Sequence, residues 1–159
     1  MNTVATISKE ELLKHWLGHR NLTKRTIEKF PEAELFNYAV PSMRTFGEMV
    51  NELISIAVPG LKGIVHKQVE AYTEGMKYTT KADILAVWDQ HTEELKELWS
   101  QLKEDEFHQT FNLFSQYEFP IIDNILYFID NEVHHRGQGF VYLRALGIEP
   151  PFFWDRYTK

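Results

Sequence analysis

The chain has 159 residues, 43% hydrophobic and 25% charged, with a net charge of −6 and no cysteine. This length and mix suit a single domain, residues 1–159, with one full core. The acidic balance, with no basic stripe, argues against nucleic acid as a partner; without cysteine there is no disulfide framework, cysteine nucleophile or cysteine-ligated metal, which fits a reducing, cytoplasmic setting.

Met1 to Lys9 carries no apolar core of the signal-peptide kind, and no apolar run reaches the ~20 residues that cross a bilayer, so no membrane partner is expected. Ser8, with Glu11 three residues on, forms a capping box that starts the first helix. Leu12, Trp16, His19, Thr23 and Ile27 trace one face. The helix ends near Phe30-Pro31, because the residue before proline is pushed out of helical geometry. His15 and His19 stand four apart, a spacing that can grip one metal on a helix. The plainer reading puts His15 in solvent and His19 at the seam between helices.

Glu32 to Arg44 reads as a connection, with Phe36 and Tyr38 closing over one end of a bundle. A second helix follows from about Thr45, with Phe46, Met49, Leu53, Ile56 and Ala57 facing inward. Pro59 and Gly60 interrupt it, and a proline inside a helix costs ~3 kcal/mol and bends it. A kink is therefore predicted, with helix resuming through Ile64, Val65 and Val69 to about Tyr72. Glu74 to Tyr78 is a loop. Thr80 caps a third helix, with Asp83 at the capping-box position and an apolar side of Ile84, Leu85, Trp88, His91, Leu95, Leu98 and Trp99 running to about Leu102. Lys103 to Phe119 reads as a long connection with a partial helical turn. Its rings either wall a pocket or plug the end of the bundle.

The last helix runs from Pro120 to Gly147. Ile121, Ile125, Phe128, Tyr142 and Leu146 share a face. Continued through the middle, that face meets Asn131 or Glu132, then His135, then Gln138 or Gly139. A buried polar group left unpaired costs ~1–3 kcal/mol, so this centre has to meet partners from other helices, a metal or water. His134 lies about 100° around the helix from His135 and cannot share its centre. Arg136 points away from His135, toward a neighbouring helix end or an acid. Gly137 and Gly139 each cost ~1 kcal/mol relative to alanine, which close approach of another helix would offset. Phe152, Phe153, Trp154 and Tyr157 either pack back or form a homodimer surface. There is no glycine-rich phosphate loop, no Gly-x-Ser-x-Gly elbow and no His-Glu-x-x-His.

The string His134-His135-Arg136-Gly137-Gln138, followed by Val141-Tyr142-Leu143-Arg144 and Leu146-Gly147-Ile148-Glu149-Pro150-Pro151, resembles the last helix of the DinB-like (YfiT-like) family of metalloproteins. That family is unrelated to the DNA polymerase sharing the name. Met43 to Leu53 is similar to the family's second-helix motif. The resemblance covers most of the chain. It implies an all-α four-helix bundle of up-down-down-up topology. It also implies a divalent metal (Ni, Zn, Mn or Fe) held by one histidine from the second helix and two, four residues apart, from the fourth.

This chain departs from that triad. His135 matches, Asn131 stands four residues before it, and Glu52 stands where the second-helix histidine belongs. The resemblance thus implies His135, Glu52 and Asn131 as a ligand set, with His19 a candidate to replace a lost ligand. Gln138, Tyr142 and His134 become candidates to contact the ligands or a substrate. A carboxylate and an amide are harder donors than imidazole and favour Mn, Fe or Mg. Two readings stay open. In one, the protein is a metal-dependent enzyme, like the thiol S-transferases among its relatives, activating a low-molecular-weight thiol such as bacillithiol or mycothiol to attack an electrophile. In the other it is a metal-free, non-catalytic binding or stress-related bundle, in which Glu52, Asn131 and His135 satisfy one another as a buried polar network.

Overall fold

The computed structural model describes residues 5–159; the first four residues of the Met1–Lys9 stretch considered above lie outside it. Five helices follow in order: α1 (Lys9–Lys29), α2 (Glu32–Asn37), α3 (Phe46–His66), α4 (Lys81–Gln101) and α5 (Ile121–Ala145). A 3-10 turn (Glu104–Glu106) and an antiparallel hairpin of β1 (Thr110–Leu113) and β2 (Tyr117–Pro120) lie between α4 and α5.

The caps explain most of these boundaries. The Ser8 and Thr45 side chains accept from the backbone of Glu11 and Glu48, whose carboxylates reach back to close both capping boxes. Thr80 accepts from Asp83 N–H. Gly147, at φ +76°, turns the chain out of α5, as a glycine past a helix end readily does.

Side-chain contacts fix the topology. Lys81 Nζ, at the start of α4, donates to the carbonyls of Glu28 and Phe30 at the end of α1, and Trp99 packs on Trp16. These helices are antiparallel. Thr23 meets Glu132 while Phe128 stacks on Trp16, so α1 and α5 run the same way. Gly60 lies against Phe128 and Gly139 against Phe46, which makes α3 antiparallel to α5. The order is up (α1), down (α3), down (α4), up (α5), as expected. A parallel step from α3 to α4 needs a crossover, here residues 67–80. Asn51 holds it: Oδ1 accepts from Lys77 and Tyr78 N–H at 3.0 and 2.8 Å, and Nδ2 donates to the Tyr78 carbonyl at 2.9 Å.

Three expectations change. The Glu32–Arg44 connection contains α2, with Phe36 against Gly47 and Tyr38 edge-on to Tyr142. Helix α3 runs through Pro59 but stops at His66, short of Tyr72. Lys67 adopts the left-handed conformation, and Gln68 N–H closes onto the Gly63 carbonyl at 2.9 Å, so Val69 is 52% exposed. The Lys103–Phe119 connection carries the 3-10 turn and the hairpin, so a small β element is added to the helical bundle. Its turn uses Phe114 and Ser115, both with positive φ. Hairpin turns of that kind normally announce themselves with Asn-Gly or Asp-Gly.

The apolar core falls into two clusters. One surrounds Trp16, Trp99, Phe107 and Phe128 at the hairpin end. The other surrounds Phe30, Phe46, Trp88 and Tyr142 at the α2 end. Between them lie buried His19, Arg20, Thr23, Glu132, His135 and Arg136. Among the described residues, no helix is long and apolar enough to cross a membrane.

Candidate functional site

The polar centre of α5 divides into two sets that face different helices. His135 looks toward α3. Its Nε2–H donates to Glu52 Oε1 at 3.1 Å, and the Arg44 guanidinium, just before α3, pairs with the other oxygen, Oε2. The Tyr142 hydroxyl donates to the Arg44 carbonyl at 2.8 Å, which fixes the backbone that carries the guanidinium. The hydrogen bond from His135, together with Arg44 and against the effect of burial, holds the Glu52 carboxyl down at about 2.

With Nε2 donating, His135 keeps its lone pair on Nδ1. That nitrogen is buried and has no partner among the described residues, and the same holds for Asn131 Nδ2, one helical turn earlier. A buried acceptor and a buried donor thus stand one helical turn apart on α5, both unsatisfied. Native interiors rarely leave such groups unpaired unless something else is meant to fill the gap.

The second set faces α1. The Thr23 hydroxyl donates to Glu132 Oε1 at 2.6 Å. Arg136 donates to Thr23 Oγ1 and to the His19 carbonyl, both at 3.1 Å, and to His19 Nδ1 at 2.9 Å. A guanidinium only donates, so His19 Nδ1 accepts and Nε2 carries the hydrogen, directed at His15 Nε2, 3.2 Å away. Both His19 nitrogens are thereby committed, and binding a metal through either would mean breaking one of these bonds. Structurally, His19 belongs to this set and not to the Glu52–His135 site. Burial, then Arg136, His15 and Arg156, bring its pKa down to about 3. Gln138 and His134 bond to each other at 3.0 Å on the exposed side of α5, apart from Glu52.

Sequence reasoning missed three contributors. Arg44 sits in the second-helix motif but was given no role. Tyr127 lies four residues before Asn131 and eight before His135, so the four-residue step that picked out Asn131 also reaches it. Tyr72 comes from the crossover and carries no periodic signal. Burial and the nearby Glu52 charge raise the phenols of both tyrosines, so both feel the charge of the site.

The implied divalent metal does not fit these residues. One imidazole, one carboxylate and one amide remain of the triad. Both carboxylate oxygens are engaged, one by His135 and one by a permanently charged guanidinium that would repel a cation. Among the described residues, no group of three or more His, Cys, Asp or Glu side chains is placed to hold a metal.

A pH prediction follows from the shifted groups. Glu52, held at about 2 against an ordinary 4.5, favours the fold fully above 4.5 and less as the pH falls toward 2. His19 at about 3 and His91 at about 4, both lowered chiefly by burial, stay neutral in the fold while the unfolded chain takes up protons below 6.5. All three act in the same direction, and each excluded proton contributes at most about 1.4 kcal/mol per pH unit. Urea midpoints should fall steadily from pH 6.5 downward, with His19→Gln flattening the upper part of the curve and Glu52→Gln the part below 4.5.

The class of protein is an up-down-down-up helical bundle with a polar site between its second and fourth long helices. The chain belongs to the DinB family, whose model matches residues 1–158. It is similar to the uncharacterized protein YjoA of Bacillus subtilis (strain 168), 22% identical over 149 residues, covering 92% of this chain and 96% of that one. Among solved structures, a DinB-like protein from Bacillus cereus ATCC 10987 superposes with a TM-score of 0.71 at 20% identity, covering 90% of this chain and 95% of that one. The structure of Bacillus subtilis YjoA gives 0.69 at 21% identity, covering 90% and 97%. At these identities the structural likeness carries the fold.

Proposed function

We propose that the protein binds a small thiol between α3 and α5 and that His135 takes its proton, in transfer of a low-molecular-weight thiol to an electrophile. One observation carries this reading: the imidazole of His135, 6% exposed, donates to Glu52 at 3.1 Å and leaves Nδ1 buried and unpartnered. A carboxylate that fixes the imidazole tautomer, with the opposite nitrogen free, is the arrangement of a general base and its orienting acid. The S–H proton passes to Nδ1, and the thiolate attacks the electrophilic carbon. The leaving group departs with its bonding electron pair. Asn131 Nδ2 supplies a donor to the incoming sulfur or to a polar atom beside it. Arg44 keeps Glu52 ionised, so the protonated imidazole is stabilised as it forms. In this reading the base does the work that a metal does in a member with the full histidine triad.

The test combines metal analysis of the purified protein with thiolate absorbance near 240 nm during thiol titration. Thiolate should form in the wild type, persist with chelator present, and fall by about 100-fold or more in turnover when His135 becomes alanine. Glu52→Gln should give an intermediate loss. Stoichiometric metal that disappears in both Glu52→Ala and His135→Ala would overturn the metal-free base. Absence of thiolate in the wild type would leave a non-catalytic binding bundle.

A further inference from the structure

A separate cavity of about 310 Å³ opens between the hairpin and the first two turns of α5, lined by Tyr117, Phe119, Asp123, Asn124 and Tyr127. Its volume reaches the lower end of the ~300–1,000 Å³ range of small-molecule sites. The wall is pinned in place. Asn124, 2% exposed, donates to the carbonyls of Phe111 and Phe119, both at 3.4 Å, which ties both strands to α5. Further up the chain, Ile121 N–H and Ile122 N–H bond to the carbonyls of Gln109 and Phe107.

The chemistry of the lining is selective. It holds three aromatic rings, one carboxylate, one amide already committed to the backbone, and no basic residue. The Tyr117 and Tyr127 rings lie with centroids 6.4 Å apart at 33°. Aromatic faces present negative potential, and a carboxylate beside them adds a full negative charge. An anion is disfavoured by both, and a neutral molecule gains apolar contact with the rings but nothing from the carboxylate.

We propose that this cavity binds a small organic cation, an ammonium or quaternary ammonium group seated against the Tyr117, Phe119 and Tyr127 rings with Asp123 as counter-ion. Burial and the Glu52 charge hold the Tyr127 phenol above its ordinary value, so the ring stays neutral. The net charge of −6 draws cations toward the surface at large. The site shares Tyr127 with the surroundings of Glu52 but uses neither His135 nor Asn131, so the Asp123→Asn result stands or falls apart from the thiol reading.

Isothermal titration calorimetry on the full chain tests it with two probes of the same shape, choline and its neutral carbon analogue 3,3-dimethylbutan-1-ol. Choline should bind, and the alcohol should bind at least about tenfold more weakly. Asp123→Asn and Tyr127→Leu should each weaken choline by about tenfold, while Tyr127→Phe, which keeps the ring face, should change it by less than about threefold. Equal binding of the two probes overturns the proposal, as does the absence of choline binding by the wild type at tens of millimolar. If Tyr127→Leu fails to fold by circular dichroism, Asp123→Asn and Tyr127→Phe decide the matter by themselves.

Discussion

Glu132→Ala lowers the unfolding free energy by about 3–5 kcal/mol, the range seen when one partner of a buried ion pair is removed. Glu132 is 1% exposed and sits between two apolar clusters. Arg20 and Arg136, both buried, are the cations whose charges favour its ionised form, while burial pushes its carboxyl up. Arg136 Nη1 lies 4.0 Å from Glu132 Oε1, bridged by the Thr23 hydroxyl that bonds to both. Arg20 has other acceptors, the Trp88 carbonyl at 3.0 Å and Thr92 Oγ1 at 2.9 Å, and stacks on the Trp88 ring. With the carboxylate gone, Arg136 remains in the interior without its counter-charge, and Arg20 keeps only the favourable charge of Asp89. For a domain of this size each kcal/mol moves the melting temperature by roughly 2–4 °C, so a drop on the order of 10 °C is expected by calorimetry. Removing Arg136 as well, in Glu132→Leu with Arg136→Met, should cost less than the two single changes added together, because the charge left stranded by one is removed by the other. A Glu132→Ala protein with an unchanged melting temperature would mean the carboxyl is protonated and unimportant to the charge balance.

How much of this was readable beforehand depends on the kind of signal each residue gives. The long helices were legible because Ser8 with Glu11, Thr80 with Asp83, and Phe30-Pro31 are local chemistry. The polar centre of α5 was legible as an anomaly in an apolar stripe, but its division was not. Asn131, Glu132, His135 and Arg136 are near neighbours on the helix. Only the positions of α1 and α3 send Glu132 and Arg136 one way and His135 the other. Only the family pattern raised Glu52, since a carboxylate four residues from Ile56 reads the same whether it meets solvent or a histidine. The hairpin was hidden because Phe114 and Ser115 take the left-handed conformation without glycine or asparagine. Tertiary packing, through Phe114 in the core, sustains that conformation where no local preference does.

Gly139→Leu destabilises the fold by about 3 kcal/mol and disrupts the Glu52–His135 pair, the second large effect expected. A Cβ on Gly139 would stand 2.6–2.9 Å from three carbons of the Phe46 ring. That ring is fully buried and stacked on Phe30 with centroids 4.7 Å apart, so it has nowhere to retreat. The improved helix propensity of leucine returns only about 1 kcal/mol. Relief comes from moving α3 off α5. Gly139 is one turn beyond His135, and Phe46 is in the first turn of α3, less than two turns from Glu52. A shift that frees the Phe46 ring therefore lengthens the 3.1 Å bond between His135 and Glu52. Thiolate absorbance should fall along with the urea midpoint, and Phe46→Ala in the Gly139→Leu background should recover part of both by restoring space. Gly137 supplies the control, since a Cβ there would meet nothing within 4 Å. Gly137→Leu adds the same side chain two residues away and should be neutral or mildly stabilising. If the two substitutions behave alike, helix–helix contact at Gly139 is not what positions the histidine.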